Sequence, residues 1–235
     1  MDTEYSGRLF ISDASDENDK ERYLSSLGKD YGEFILGRNT TRILMEDPKL
    51  LLFTLARYKF VAKMFTGLEE VLEIGCHEGW GIPLVKQNVS KVHGTDFFVP
   101  YIESCNRRID VEGLTFSSHD ILEKPLSKLY DGVFALDVLE HIDPNKEERF
   151  MANAVGSLKN NGRMILGTPS LESQKYASPS SKAGHVNCKT GLEFKALMEK
   201  YFEFSVVFSM NDEVLHTGFL PMSQYVFGFG AIPRK

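Results

Sequence analysis

The chain has 235 residues, 42% of them hydrophobic and 26% charged, with a formal charge of −6. That length and composition suffice for the buried core of one α/β domain with additions and exclude global disorder. No run of Lys and Arg exceeds two residues, and a polyanion needs clustered cations to displace its counterions, so nucleic acid is not an expected partner.

Residues 1–45 are highly charged and weakly patterned, with a short helix predicted over Glu21–Leu36 and a break at Gly37. Leu50–Phe65 reads as a stronger helix: Phe53, Ala56, Phe60 and Met64 recur at spacings of three and four on one face, and Thr66-Gly67 closes it. Arg57, Lys59 and Lys63 make this richest apolar stretch too polar to cross a bilayer, so stable membrane insertion is not expected. Residues 1–66 are therefore expected to form an N-terminal helical extension and 67–235 the main domain.

From residue 70 short apolar runs alternate with amphipathic segments. Strands are predicted at Val71–Gly75, Val92–Asp96, Leu114–Ser118, Gly132–Asp137 and Arg163–Thr168. Helices fall between them at Trp80–Asn88, with Pro83 in the first turn where a missing N–H costs little, at Tyr101–Ile109, and at Pro144–Lys159 before Asn160-Asn161-Gly162. Residues 169–189, rich in Ser, Gly, Pro and Lys, interrupt the rhythm; irregular segments of that length are commonly functional lids or disordered. A helix over Thr190–Tyr201 and strands at Phe204–Ser209 and Tyr225–Ile232 complete the chain, and Met210–Met222 is too long for a tight hairpin between them. The strand–helix alternation predicts a doubly wound, mostly parallel seven-stranded α/β sheet covered on both faces.

The central signal is the segment from Val71 to Gly81, reading Val-Leu-Glu-Ile-Gly-Cys-His-Glu-Gly-Trp-Gly. A strand ends at a glycine and a helix follows, which lets backbone N–H groups approach a ligand that a Cβ would block. A dinucleotide fingerprint counted from Gly75 would need glycines where His77 and Trp80 stand, and no Gly-Lys-Ser/Thr of a P-loop is present. Acids recur at later strand ends: Asp96, Asp120 and Asp137. Each taken alone has an ordinary reading as a helix cap or turn residue; together, at successive strand tips of an open α/β sheet, they mark the place where such sheets bind ligands.

Glu73, Gly75, Gly79 and Gly81 resemble the first motif of the class I S-adenosylmethionine-dependent methyltransferases, E/D-x-G-x-G-x-G, with His77 in place of the middle glycine. The likeness runs from about residue 68 to 168, and Asp137-Val138-Leu139-Glu140-His141 is similar to a segment common in its small-molecule members. A looser likeness of the last segment is to methyltransferases of surface-polysaccharide pathways. The resemblance implies a Rossmann-like methyltransferase fold that binds S-adenosylmethionine and releases S-adenosylhomocysteine. It implies that Glu73 supports the turn and the ligand's amino acid end, that Asp96 accepts from the ribose hydroxyls, and that Asp120 accepts from the adenine amino group while Ile121 packs on the ring. Cys76, His77, Phe97 and Asp137 complete the implied cofactor set. Arg57-Tyr58, on the preceding helix, either reaches the cofactor carboxylate or covers a helix-to-sheet seam.

A methyl group on a cationic sulfur is already activated, so such an enzyme mainly aligns acceptor, methyl and sulfur and excludes water. A hydroxyl acceptor also needs a base, and His suits neutral pH. Three candidates follow: His141 after the fourth strand, His185 within the polar segment, and His216 near Asp212 and Glu213. His93 and His119 read as structural. No metal is expected, since neither Asp212, Glu213 and His216 nor Glu140 and His141 has the spacing of a closed site. The polar residues 170–189 suggest a small-molecule or saccharide acceptor, with methylation at oxygen; nitrogen acceptors, a lipid or quinone-like aromatic, and a non-catalytic binding module are the alternatives. Cys76, Cys105 and Cys188 form no C-x-x-C pair, and the N-terminus has no signal-peptide pattern, so a reducing cytoplasm is the expected setting.

Overall fold

The structure is a computed structural model that describes residues 17–26 and 33–234. Helix α1, Glu17–Ser26, belongs to an N-terminal unit of residues 1–34, and the other described elements belong to a second unit that begins at Ile35. Of the helix predicted over Glu21–Leu36, residues 21–26 lie in α1, which starts earlier, at Glu17; residues 27–32 lie outside the described residues, and 33–37 have no regular structure.

The second unit is built on one eight-stranded sheet of order β3-β2-β1-β4-β5-β8-β6-β7. Strands β1 (Glu70–Ile74), β2 (Lys91–Asp96), β3 (Leu114–Ser118), β4 (Tyr130–Leu136) and β5 (Leu158–Pro169) run parallel. Strand β8 (Tyr225–Pro233) is antiparallel to both β5 and β6 (Phe202–Asn211), and β7 (Val214–His216) is antiparallel to β6. This is the doubly wound, largely parallel arrangement expected from the alternation of elements, with β7 as an eighth strand. Asp212 adopts φ 51°, which lets Asp212-Glu213 turn tightly enough for Asn211 to pair with Val214. The segment Met210–Met222 is thus no tight hairpin between β6 and β8; it holds a two-residue turn into the additional strand β7.

Alternation along β4 shows how the two layers are made. Phe134 and Leu136 pack with Val61, Phe65, Ile82, Val85 and Ile102 on one face, while Val133 and Ala135 pack with Phe150, Met151, Phe194 and Met198 on the other. The first face is covered by α3 (Lys49–Met64), α4 (Ile82–Lys86) and α5 (Val99–Arg108), the second by α6 (Glu147–Gly156) and α8 (Gly191–Tyr201). Because α3 and its C-cap Phe65 supply Tyr58, Phe60, Val61, Ala62 and Phe65 to the core, residues 35–66, including α2 (Arg38–Glu46), are built into the sheet unit, and the expected boundary at residue 66 falls inside it.

The helix predicted over Pro144–Lys159 is shorter. A 3-10 turn at Pro144–Lys146, capped by the Asp143 carboxylate, precedes α6, and Leu158 already pairs with Tyr130. A register irregularity between Tyr130 and Gly132 absorbs the extra residues. Residues 169–189 also carry structure: a 3-10 turn at Glu172–Tyr176 and α7 (Pro179–Gly184), with Ser170 bridged to Lys189 at the base. Among the described residues no helix is long and apolar enough to cross a membrane.

Candidate active site

The turn after β1 is built from residues in left-handed backbone: Gly75 at φ 78°, His77 at φ 50° and Gly79 at φ 68°. At Gly75 a Cβ would lie 2.4 Å from the Val138 side chain, so glycine is demanded by both conformation and space. His77 takes the strained geometry that its position in the motif implied, and its N–H donates to Asp96 Oδ2 at 3.0 Å. Asp96 Oδ1 accepts from Phe98 N at 2.9 Å. The tip of β2 is thereby tied to the turn after β1, and the carboxylate is held with its remaining lone pairs available to a ligand.

A cavity of about 650 Å³ opens at the C-terminal ends of these strands. Gly75, His77, Asp96, Phe97, Asp120, Ile121, Asp137 and His141, eight of the residues singled out in the sequence, line it together with Phe98 and Tyr101. Asp120 accepts from Leu122 N at 2.8 Å, which shapes the turn after β3 and sets Ile121 into the wall. His119 also lines the cavity and donates from Nε2 to Lys124 O at 2.9 Å, and His93 lies between Tyr130 and Ser117 within the sheet.

Three residues of the motif stand behind this wall instead. Glu73 is 1% exposed and faces α3, where Tyr58 donates to its Oε1 at 2.5 Å; Oε2 is buried without a partner. Burial pushes its carboxyl up to about 8, against the downward pull of the Tyr58 hydroxyl. Cys76 is buried against Cys105, and a Cβ on Gly79 would meet Phe116 at 2.8 Å and Cys105 at 3.0 Å. Cys76 and Gly79 thus serve the packing of α5 and β3 beneath the turn, because only residues at the outer side of a strand–helix turn face the crevice.

The tip of β4 is held from the same helix. Arg57 Nη1 donates to both oxygens of Asp137 at 2.8 Å, and its guanidinium lies 4.0 Å over the Tyr225 ring. Asp137 has φ 56°. Adjacent residues of α3, Arg57 and Tyr58, thus each bind a strand-tip acid.

His141 and His185 meet beyond Asp137, with ring centroids 5.2 Å apart. His141 Nδ1 donates to Gly184 O at 3.0 Å, and His185 Nδ1 donates to Gln174 Oε1 at 2.9 Å. The Gln174 amide is oriented by its own Nε2 donating to the Ser170 carbonyl at 3.2 Å. In its neutral form each ring therefore carries its proton on Nδ1 and a lone pair on Nε2. Glu140, 1% exposed, accepts from Thr168 Oγ1 at 3.1 Å, and its own carbonyl accepts from Val186 N and Asn187 N. Its carboxyl is pushed up to about 8 by burial and then by Asp137. His216, the third sequence candidate, pairs with Ser209 on edge strand β7 and accepts from Gly218 N; the fold does not bring it to the cavity.

Sequence reasoning missed the contacts that α2 makes with the turn after β1. Glu78 accepts from Asn39 N, Thr40 N and Thr40 Oγ1 at 2.9, 2.8 and 2.7 Å, while the Asn39 side chain reaches His77 Nε2 and Tyr101 OH at 3.3 and 3.1 Å. Gly37 beside Asn39, ahead of an amphipathic stretch, was the available signal. Gln174 and Thr168, which orient His185 and Glu140, carried none.

A Rossmann-like sheet with an antiparallel last strand and a cavity at the tips of β1–β4 defines the class I methyltransferase fold. Residues 72–166 match the family model described as a methyltransferase domain. A ubiquinone biosynthesis O-methyltransferase of Rickettsia felis is 31% identical over 110 residues, which are 46% of this chain and 44% of that protein; the chain thus spans less than half the length of this curated relative. Among solved structures, the N-methyltransferase NodS of Bradyrhizobium japonicum in complex with S-adenosylhomocysteine superposes with a TM-score of 0.62 at 16% identity, over 81% of this chain and 91% of that one. A possible histamine N-methyltransferase of Thermotoga maritima gives 0.63 at 19% identity, over 82% and 94%.

Proposed function

We propose that the chain is an S-adenosylmethionine-dependent methyltransferase acting on a small-molecule or saccharide acceptor, at oxygen. The observation that carries this reading is the joint placement of the Gly75–His77 turn, Asp96, Asp120-Ile121 and Asp137 around one cavity. The residues fit the donor. Gly75 leaves a cradle that a Cβ would fill, Asp96 offers free lone pairs beside an oriented N–H, and Ile121 with Phe97 and Phe98 supplies apolar walls. A volume of about 650 Å³ is in the range of small-ligand sites.

Bound there, the donor supplies a methyl group already activated by its positive sulfur. The chain's own work is to hold that group, position the acceptor and keep water out. Asp96 anchors the sugar, Asp120 and Ile121 the base, and the Asp137 end faces the acceptor. Activation of an acceptor hydroxyl falls to the His141–His185 pair, whose Nε2 lone pairs are free. Residues 169–189 bring His185 and Gln174 to this end as a lid over the acceptor. Three free cysteines fit a reducing cytoplasm.

Calorimetry with S-adenosylhomocysteine tests the reading. Binding that is weakened by Asp96→Ala is expected, and a folded chain that gives no heat with either the donor or its demethylated product refutes it. For the acceptor, the polar residues 170–189 favour a hydroxylated molecule such as a saccharide, and the loose likeness of the last segment points to the surface-polysaccharide type. The name of the curated relative and the exposed rings of Phe97 and Phe98 at the mouth favour a quinone-like aromatic as the second reading. A screen of both classes with labelled donor, scored by mass shift, separates them.

A further inference from the structure

We infer that Glu140, His141 and His185 form a binding site for a divalent transition-metal cation at the Asp137 end of the cavity. One ligand atom from each of the three lies within 4.8 Å of the others. Glu140 and His141 are neighbours on the 3-10 turn Leu139–His141, while His185 arrives from 44 positions further on, at the end of α7. The junction is made by backbone: Val186 N and Asn187 N both donate to Glu140 O, at 2.7 and 3.1 Å. This juxtaposition belongs to the fold and has no sequence spacing, which explains why a search for spaced ligands passes over it.

Two features favour a cation over a chance cluster. Each imidazole has its Nδ1–H committed to an oxygen acceptor, Gly184 O for His141 and Gln174 Oε1 for His185. That is the outer-shell arrangement that fixes tautomer and orientation in metal-ligating histidines and leaves the Nε2 lone pair for the ion. The carboxylate is likewise held by an outer partner, Thr168 Oγ1.

Two nitrogens and one oxygen select a borderline cation such as Zn²⁺, Mn²⁺, Fe²⁺ or Co²⁺ over Mg²⁺ or Ca²⁺, which prefer all-oxygen sites. Ligands at about 2.0–2.2 Å from one ion lie about 3.3–3.6 Å apart at the tetrahedral angle, so a pair as wide as 4.8 Å must close by roughly 1.3 Å, a movement that side-chain rotation supplies. Three protein ligands leave open positions, and His141 lines the cavity. On the methyltransferase reading, an acceptor hydroxyl would occupy one of them. Its proton would then be lost to solvent water because the cation lowers its pKa, and the two histidines would hold the ion instead of serving as bases. The acceptor class is then one with an oxygen able to ligate a metal, such as a phenol with an adjacent hydroxyl or a vicinal diol.

The test needs no donor and no acceptor. The full chain, stripped with a chelator, is titrated with Co²⁺ and followed by visible absorption and calorimetry. One equivalent with d–d bands of a nitrogen-containing site is expected, displaced by Zn²⁺. His141→Ala and His185→Ala should each weaken it at least tenfold, and His216→Ala should leave it unchanged. Glu140→Gln should weaken it as well, but that side chain is buried; His185, half-buried on a loop, gives the decisive variant, with its melting curve recorded alongside. Absence of binding, or equal binding by His185→Ala and the unaltered chain, overturns the site. S-adenosylhomocysteine binding on the same preparation reports separately on the methyltransferase reading, because failure of one titration does not entail failure of the other.

Discussion

Tyr58 donates its hydroxyl to Glu73 at 2.5 Å, directly beneath the turn that shapes the cavity floor. Burial pushes the Glu73 carboxyl from its ordinary 4.5 up to about 8, so at neutral pH the folded chain keeps a proton there that the unfolded chain has released. The group costs nothing below about 4.5; stability then falls as pH rises through the window and the loss is complete above about 8. Glu73→Gln retains an acceptor for Tyr58 and carries no charge to bury. The expected outcome is a melting temperature that declines less between pH 5.5 and 8.5 than that of the unaltered chain, by at least about 3 °C, equivalent to roughly 1 kcal/mol in a domain of this size. Parallel melting-temperature profiles for the two proteins would show that Glu73 is ionised in the fold.

Asp96 accepts one N–H from the β1 turn, through His77, and another from the start of α5, through Phe98. Its loss therefore loosens the turn and removes the ligand's acceptor at once. Charge-assisted hydrogen bonds of this kind contribute about 1.5–3 kcal/mol. Asp96→Ala should raise the dissociation constant of S-adenosylhomocysteine by roughly 10- to 100-fold. Asp96→Asn, which keeps an acceptor oxygen, should lose less. Isothermal calorimetry on both variants checks the order, and an unchanged constant in Asp96→Ala would place the ribose elsewhere.

How much of this could be read from the chain alone follows from what each feature depends on. The strand tips were legible because β1, β2 and β4 run out into Gly75, Asp96 and Asp137, and the alternation of β4 residues between the two core layers leaves little freedom in register. The largely parallel, doubly wound sheet and a ligand site at its tips followed from the alternation of strands and helices; the strand order did not. Glu73 was legible as part of a motif but not as a residue turned away from the cavity, since that depends on Val71 and Glu73 sharing the α3 face of β1. His141 could be placed beside the cavity from its strand. The approach of His185 to it rests on two backbone bonds to Glu140 O, which no side-chain pattern encodes. His216 looked equivalent in sequence because its acidic neighbours are close along the chain; the tight turn at Asp212 sends it to the sheet edge.

Arg57 is shared between Asp137, through two hydrogen bonds at 2.8 Å from one nitrogen, and the face of Tyr225 at 4.0 Å. The pair is partly exposed, with side chains 20% and 34% accessible, so solvent screening reduces its value below that of a fully buried ion pair. Arg57→Ala should cost about 1–3 kcal/mol in urea denaturation, including the lost stacking. Arg57→Lys keeps the charge without the planar group, and it should recover only part of that loss. Equal stability of all three proteins would mean that the contact contributes nothing net.

Glu78 holds the first turn of α2 from outside the helix. Its carboxylate takes the otherwise unpaired N–H groups of Asn39 and Thr40, and the Thr40 hydroxyl, in the role a cap residue usually plays, since Gly37 at the cap has no side chain to offer. Burial pushes this carboxyl up, but the three donations outweigh it and hold it below the ordinary range. Glu78→Ala therefore leaves two helix donors unpaired and releases Asn39 from above His77. Amide hydrogen exchange should accelerate at least tenfold over residues 38–46, while β1, β4 and β5 keep their protection, because their bonds do not depend on α2. Since Asn39 bonds to His77 and Tyr101 at the cavity wall, the same variant should also bind S-adenosylhomocysteine more weakly, with the loss appearing mainly as faster dissociation. Faster exchange in α2 with an unaltered dissociation rate would separate the two roles: α2 would then be anchored by Glu78 without closing the cavity.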